Sequence, residues 1–128
     1  MTSICLDSSG WIEITHAGDN ARKFAKALSA PATLILSTIN LYEIAKYTSR
    51  VGDDTATSEI LTFLQQYTVI PVSSEIATLA ASLSTQHKLA MADSLIYATT
   101  LNQNATLWTQ DEDFKGLPHV KYFPKINS

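Results

Sequence analysis

The chain has 128 residues, of which 45% are hydrophobic and 16% charged, so it is long enough for one folded domain and too apolar for intrinsic disorder. Nine basic and twelve acidic side chains give a formal charge of −3, which lacks the basic excess typical of nucleic-acid-binding proteins. The single cysteine, Cys5, cannot form an intramolecular disulfide bond. No signal peptide and no apolar stretch of roughly 18 residues is present, so we expect one cytoplasmic domain over residues 1–128, not bound to a membrane.

Short apolar runs alternate with longer helical patterns along the chain. Pro71 falls in the third predicted strand, 69–72, and either ends it or places it at an edge of the sheet. Asn104 is predicted to end a helix in a left-handed conformation. Strands separated by helices predict an α/β domain with a mainly parallel sheet. In chain order, we predict strand Ser3–Leu6, a helix capped by Ser8 or Ser9, a helix starting at Asp19 or Asn20, strand Thr33–Ser37, a helix through Leu41 and Ala45, a helix after Gly52 centred on Ile60 to Leu64, strand 69–72, a helix over 76–83 capped by Ser73 or Ser74, a helix over 91–101, and strands 105–108 and 120–123.

Four acidic residues stand out against this pattern. Asp7 directly follows the first strand and Asp111 closely follows strand 105–108, at the carboxyl ends where ligands bind to parallel sheets. Glu43 and Asp93 interrupt apolar helical surfaces, and Asp93 falls in a first turn, where the helix dipole favours a carboxylate. Ordinary explanations exist for three of them: Asp7 as a helix cap, Asp93 as a first-turn acid, and Asp111 with Asp113 as part of a turn. Glu43 is the hardest to explain in this way, because its helical neighbours are largely apolar.

Taken together, the acids predict a site for a divalent cation. Carboxylates packed together repel one another, and a hard cation removes that repulsion. Mg²⁺ prefers oxygen ligands and typically combines a few carboxylates with substrate phosphate. In a phosphodiester hydrolase, such a metal activates water and neutralises the charge that develops on the phosphate. One ion and two ions both agree with this pattern.

Seven segments also carry a recognisable pattern, namely residues 4–9, 11–13, 37–43, 80–83, 87–89, 92–99 and 105–114. The chain resembles PIN-domain ribonucleases over nearly its whole length, and in particular the toxins of VapBC-type toxin–antitoxin pairs. The last two segments are the most specific. The resemblance implies a three-layer α/β/α fold, with a central, mainly parallel sheet flanked by helices. It implies metal-dependent endonucleolytic cleavage of RNA, with an RNA substrate, an antitoxin protein that blocks the active site, and a homodimer.

The resemblance also implies roles for particular residues. It makes four acids the quartet around Mg²⁺ or Mn²⁺, with a fifth acid as an accessory ligand, and two hydroxyl residues orient the neighbouring acids. The implied quartet is Asp7, Glu43, Asp93 and Asp111, the accessory acid is Asp113, and the hydroxyl residues are Ser8 and Thr109. Without these five acids, seven acidic residues remain against nine basic ones, so the net charge is compatible with an RNA substrate.

Four further positions bear on this interpretation. Lys46 and Arg50 follow Glu43 on roughly the same helical face, and they either contact RNA phosphates or are ordinary solvated charges. Lys88 and Asn104 stand where the family commonly has glycine, and Asn tolerates the left-handed conformation that this implies. Neither departure removes a proposed ligand.

Other functions share part of the pattern. A PIN-domain nuclease that processes RNA outside any toxin system would carry the same acids. A phosphoacceptor receiver domain shares the length and the α/β pattern, but it needs paired acids after the first strand and a late lysine, where this chain has Asp7-Ser8-Ser9 and Thr109. A haloacid-dehalogenase-like phosphatase needs Asp-x-Asp at the first strand, and Ser9 takes the second of these positions. A binding module without catalysis is the alternative if the site has lost its metal.

Overall fold

The computed structural model describes residues 2–126 and contains all five predicted strands, whose bounds differ from the predicted ones by at most two residues. A short 3-10 helix, Glu112–Phe114, follows the fourth strand. The elements are β1 Ser3–Leu6, α1 Ser8–Thr15, α2 Ala21–Ser29, β2 Thr33–Ser37, α3 Thr38–Val51, α4 Asp54–Leu64, β3 Thr68–Ile70, α5 Ser74–His87, α6 Met91–Asn102, β4 Ala105–Thr109 and β5 Val120–Tyr122.

The five strands form one parallel sheet in the order β3-β2-β1-β4-β5. β1 lies at its centre, with Cys5 opposite Ile35 of β2 and Leu6 opposite Trp108 of β4. β3 lies at an edge and ends immediately before Pro71, which confirms the expectation from that proline. The mainly parallel sheet predicted from the sequence is therefore confirmed.

Helices cover both faces of the sheet, because alternate residues of the strands point to opposite sides. On one side, Cys5 and Ile35 pack in a core with α5 and α6. On the other side, Leu6 and Leu36 pack in a second core that contains Trp11 of α1 and Phe24 of α2, with residues of α3 and α4. This arrangement confirms the three-layer α/β/α class. No helix within residues 2–126 is both long and apolar enough to cross a membrane.

Polar residues mark the start of α5 and the ends of α5 and α6. Ser73 caps α5, as predicted, by accepting a hydrogen bond from the backbone N–H of Ile76 at 3.1 Å. Asn104 has a φ of 52°, which confirms the predicted left-handed conformation after α6. Lys88 is also left-handed, with a φ of 57°, at the end of α5. The left-handed conformation gives a physical reason why glycine is common at this position in the family that the sequence resembles, since glycine adopts it without strain.

One predicted cap is wrong. The N-cap position of α1 is taken by Asp7, so neither Ser8 nor Ser9 caps this helix, and the Asp7 side chain makes no capping hydrogen bond. α2 begins after Asn20, as predicted, but the Asn20 side chain does not cap it either. Its amide donates instead to Gln110 Oε1 at 2.9 Å and to the backbone carbonyl of Pro124 at 3.1 Å, which ties the start of α2 to the segments that follow β4 and β5.

Candidate active site

The carboxyl ends of β1 and β4 bring two of the predicted acids to one edge of the sheet. Asp7 follows β1, and its backbone N–H donates to the carbonyl of Trp108 at 3.0 Å, so the strand pairing extends to the acid itself. Asp111 lies two residues after the end of β4. Asp93 joins them from the first turn of α6, and Glu43 comes from α3. The topology thus places acids from four separate chain segments at the same end of the sheet.

Three of the acids are close enough to share one cation. Asp93, Asp111 and Asp113 each offer a carboxylate oxygen, and these oxygens all lie within 4.8 Å of one another. Opposite ligands of an octahedral Mg²⁺, bound at about 2.1 Å, lie about 4.2 Å apart. The spacing and the all-oxygen donor set therefore fit a hard divalent cation. Asp93 and Asp111 are half-buried, and Asp113 is exposed.

The charges of four of the predicted acids act on the fifth, Asp93. Burial raises the pKa of Asp93 to about 7, and the negative charges of Asp111, Asp7, Glu43 and Asp113 add to the shift in that order. Each of these carboxylates makes it harder for Asp93 to ionise. The acids predicted from the sequence thus form a single electrostatic cluster, in which a bound cation would relieve the repulsion.

Asp7 is the most deeply buried of the five, with 5% of its surface exposed. Its Oδ2 accepts hydrogen bonds from Thr109 Oγ1 at 2.8 Å and from Ser9 Oγ at 3.0 Å. Burial raises its pKa to about 6 and the charge of Glu43 adds to this, while the bonds from Thr109 and Ser9 act in the opposite direction. Asp7 occupies the N-cap position of α1, as the ordinary explanation expects, but its side chain makes no capping hydrogen bond and its contacts are those of the acid cluster.

Glu43 is held by a chain of side-chain hydrogen bonds. Its Oε1 accepts from Ser8 Oγ at 2.8 Å, and Ser8 Oγ in turn accepts from Asn40 Nδ2 at 2.8 Å. The Ser8 hydroxyl therefore orients an acid, but that acid is Glu43, and the hydroxyl that contacts Asp7 is that of Ser9. Asn40 and Ser9 were not identified from the sequence. The available signal for Asn40 was its polar side chain one helical turn before Glu43, between two apolar residues.

Asp111 combines a local structural contact with its place in the acid cluster. Its Oδ1 accepts a hydrogen bond from the backbone N–H of Asp113 at 3.0 Å and so caps the short 3-10 helix. The turn explanation for this pair is therefore confirmed. The same turn brings Asp113 beside Asp93 and Asp111, so the local role and the cluster do not exclude each other.

Two basic side chains lie along α3 beyond Glu43. Lys46 and Arg50 are exposed, and with Glu43, Tyr42 and Tyr47 they line an open surface cavity. The Lys46 ammonium lies 5.8 Å from the centre of the Tyr42 ring, and the Arg50 guanidinium lies 5.4 Å from that of Tyr47. Both basic groups therefore make cation–π contacts with tyrosine rings at the edge of the acid cluster.

Comparison with known proteins places this architecture among known folds. The family model of the PIN domain matches residues 4–120. Among solved structures, a toxin–antitoxin complex from Klebsiella pneumoniae contains a chain with 24% identity and a TM-score of 0.81, and the match covers 96% of this chain and 99% of that one. A chain of VapBC2 from Rickettsia felis, bound to a DNA fragment from its promoter, matches with 22% identity, a TM-score of 0.74 and coverages of 96% and 98%.

A third solved structure is described by its activity. VapC20 of Mycobacterium tuberculosis, a toxin that cleaves the sarcin–ricin loop, has 20% identity and a TM-score of 0.74, with coverages of 90% of this chain and 95% of that one. No curated protein sequence matches the chain. At these identities, the structural matches establish the common fold.

Proposed function

We propose that this chain, which belongs to the PIN domain family, is a metal-dependent endoribonuclease and the toxin of a VapBC-type toxin–antitoxin pair. The observation that carries the proposal is the cluster of acids at the carboxyl end of the sheet, in which three carboxylates lie within 4.8 Å of one another. The similarity in fold to toxin chains, one of which cleaves the sarcin–ricin loop, supports RNA as the substrate.

The proposed ligands of Mg²⁺ or Mn²⁺ are the acids of this cluster. Asp93, Asp111 and Asp113 have the spacing for one ion, and Asp7 and Glu43 complete the set for one ion or two. A bound divalent cation supplies activation of water and neutralisation of charge on the scissile phosphate. The five acids act as a group, since the charges of the other four all bear on Asp93.

The hydroxyl residues of the site orient the acids before any substrate binds. Thr109 and Ser9 each donate to the same oxygen of Asp7, so two hydrogen bonds hold this oxygen of the carboxylate. Ser8 fixes Glu43 through one of its oxygens. Fixed carboxylates lose less conformational freedom when they bind a cation, which supports tight binding in a defined geometry.

Lys46 and Arg50 are the proposed contacts for the RNA backbone. Both lie on α3 beyond Glu43, so a strand whose scissile phosphate reaches the acids can place neighbouring phosphates against them. Contacts to phosphate carry affinity without reading sequence. They would offset the repulsion between the RNA and the negatively charged site.

An antitoxin that covers the site and a second copy of the chain in a homodimer are the proposed protein partners, in the cytoplasm. Solved structures of the same fold include toxin–antitoxin complexes. On this chain, Tyr42 is 61% exposed beside the acid cluster, which gives a partner an aromatic contact at the site itself. Phe63, which is 39% exposed, packs edge to face against Trp11 and extends the apolar core toward the surface.

The test is RNA cleavage by purified protein with Mg²⁺ or Mn²⁺, comparing the wild type with Asp93→Asn and Asp7→Asn. Each substitution removes one negative ligand with little change in shape, so we expect cleavage to fall by more than about 100-fold. Glu59→Gln removes an exposed acid of α4 outside the cluster and should cleave like the wild type. Full activity in both site variants, after contaminating nucleases are excluded, contradicts the mechanism.

Sequencing of RNA ends after brief expression identifies the target, and growth separates the two nuclease alternatives. A toxin arrests growth, and co-expression of its antitoxin reverses the arrest. A processing nuclease outside a toxin system cleaves RNA without that arrest. Asp93→Asn should remove both the new RNA ends and the arrest.

A further inference from the structure

Asn40 lies fully buried beside the proposed metal site, with 0% of its surface exposed. It belongs to the first turn of α3, three residues before Glu43. Its Oδ1 accepts a hydrogen bond from the backbone N–H of Ser37 at 2.9 Å, and its Nδ2 donates to Ser8 Oγ at 2.8 Å. One side chain thus joins the start of a helix to the hydroxyl group that contacts Glu43.

The direction of each bond in this chain follows from chemistry. A backbone N–H can only donate, so the atom of Asn40 that faces Ser37 must be the oxygen. The atom that faces Ser8 is then the amide nitrogen, which can only donate. Because Ser8 Oγ accepts that bond, its single proton is free to point toward Glu43 Oε1, 2.8 Å away. Glu43 Oε1 is the acceptor of this hydrogen bond.

We propose that Asn40 is a positioning residue of the active site, which acts through Ser8 to hold the Glu43 carboxylate in one orientation. The inference rests on the proposed function, because Glu43 matters as a ligand of the cation. Asn40 touches neither the acids nor the RNA in this scheme. Its contribution is to determine which way the Ser8 hydroxyl points and to restrict its rotation.

The Asp7 side of the site has the same design. The backbone N–H of Asp111 donates to Thr109 Oγ1 at 3.0 Å, so the Thr109 proton is directed to Asp7 Oδ2 at 2.8 Å. In both cases an N–H group donates to the hydroxyl oxygen, and the hydroxyl in turn donates to a carboxylate oxygen. On the Asp7 side this N–H belongs to the backbone, whereas on the Glu43 side it belongs to Asn40 and can be removed by substitution.

The test compares Asn40→Ala and Ser8→Ala with their double variant and with Ser37→Ala. Ser37 is the matched control: its Oγ accepts from the backbone N–H of Ile39 at 3.0 Å, so its loss weakens the same helix start without touching Ser8. The first measurement is the order of the Glu43 side chain in the metal-free protein, from ¹³C relaxation at Cγ. We expect a rigid side chain in the wild type and in Ser37→Ala, and a mobile one in Ser8→Ala and in Asn40→Ala.

The second measurement is the affinity for Mn²⁺ by titration calorimetry. Loss of the partners that orient metal ligands typically weakens binding by 10- to 100-fold, so we expect a Kd about tenfold higher in Ser8→Ala and about three- to tenfold higher in Asn40→Ala. If Asn40 acts through Ser8, the double variant binds no more weakly than Ser8→Ala alone. A purely structural role for Asn40 predicts additive losses, and a similar loss in Ser37→Ala.

Several outcomes overturn the proposal: wild-type order of Glu43 in Asn40→Ala, additive effects on the Kd, or equal effects in the Ser37 control. If Asn40→Ala does not fold, the test is made on the wild-type protein. The proposal requires the side-chain amide protons of Asn40 to exchange slowly with solvent and to show a nuclear Overhauser effect to the Ser8 β-protons. Exchange as fast as in an exposed amide refutes the arrangement. These spectra need neither metal nor RNA, so they test Asn40 even if the chain cleaves no RNA.

Discussion

Asp7→Asn should stabilise the metal-free protein at neutral and higher pH while it abolishes RNA cleavage. Burial raises the pKa of Asp7 from 3.8 to about 6, so the folded protein holds this proton more tightly than the unfolded chain does. The contribution of Asp7 to stability is therefore full below about pH 4. It is lost as the pH rises through about 6, where the buried carboxylate must ionise.

The size of the effect follows from the pKa difference. About two pKa units, at 1.36 kcal/mol each, correspond to about 3 kcal/mol of unfolding free energy. Asn at this position keeps an oxygen that can accept from Thr109 and Ser9, but it carries no charge. The variant should therefore gain stability relative to the wild type between about pH 3.5 and pH 8, by up to about 3 kcal/mol.

The assay is urea unfolding followed by circular dichroism, in the presence of a chelator and over this pH range. Glu59→Gln removes an acid that is exposed on α4, and the difference between this control and the wild type should stay nearly constant with pH. A constant difference for Asp7→Asn as well would refute the reasoning, since the stabilisation would then not arise from ionisation of Asp7.

Three other perturbations address the metal site, the core and a helix end. Mg²⁺ at 100 times its Kd should stabilise the wild type by about 2.7 kcal/mol in thermal melts, and Asp93→Asn should lose this gain. Gly10→Ala should lose about 1–3 kcal/mol in urea unfolding, because the added Cβ would lie 2.7 Å from Phe24 Cδ1 and 3.1 Å from Leu6 Cγ. Unchanged stability there would mean that this core can expand. Lys88→Gly should gain about 0.5–1 kcal/mol by relieving the left-handed backbone, whereas Lys88→Ala, which keeps the strain, should show no gain in Tm.

The sheet was predictable because strands buried on both faces appear as unbroken apolar runs. Leu34, Ile35 and Leu36 form such a run, and the structure divides them between the two cores, with Ile35 on one side and its neighbours on the other. The gathering of Asp7 and Asp111 was predictable for a related reason. Parallel strands direct their carboxyl ends to one edge, so residues that follow different strands meet there.

The pairing of hydroxyl groups with acids was not predictable in the same way. Ser8 is the chain neighbour of Asp7, yet its hydroxyl contacts Glu43, 35 residues away, because Asp7 lies between β1 and α1 whereas Ser8 already belongs to α1. The turn between the strand and the helix directs the two side chains to different partners. Such a contact depends on how α1 and α3 pack, and the local sequence pattern does not contain that information.

The way in which the acids are held suits a site that must attract a cation. Asp7 and Glu43 accept hydrogen bonds from the neutral hydroxyl groups of Thr109, Ser9 and Ser8. A lysine or arginine in the same place would orient a carboxylate equally well, but it would cancel the charge and compete with the metal. Hydroxyl donors fix the geometry and leave the negative potential intact. Burial is the largest cause of the raised pKa values of Asp7 and Asp93, and repulsion from the neighbouring acids adds to it. A bound divalent cation would relieve that repulsion, so the charge that destabilises the metal-free protein would favour metal binding.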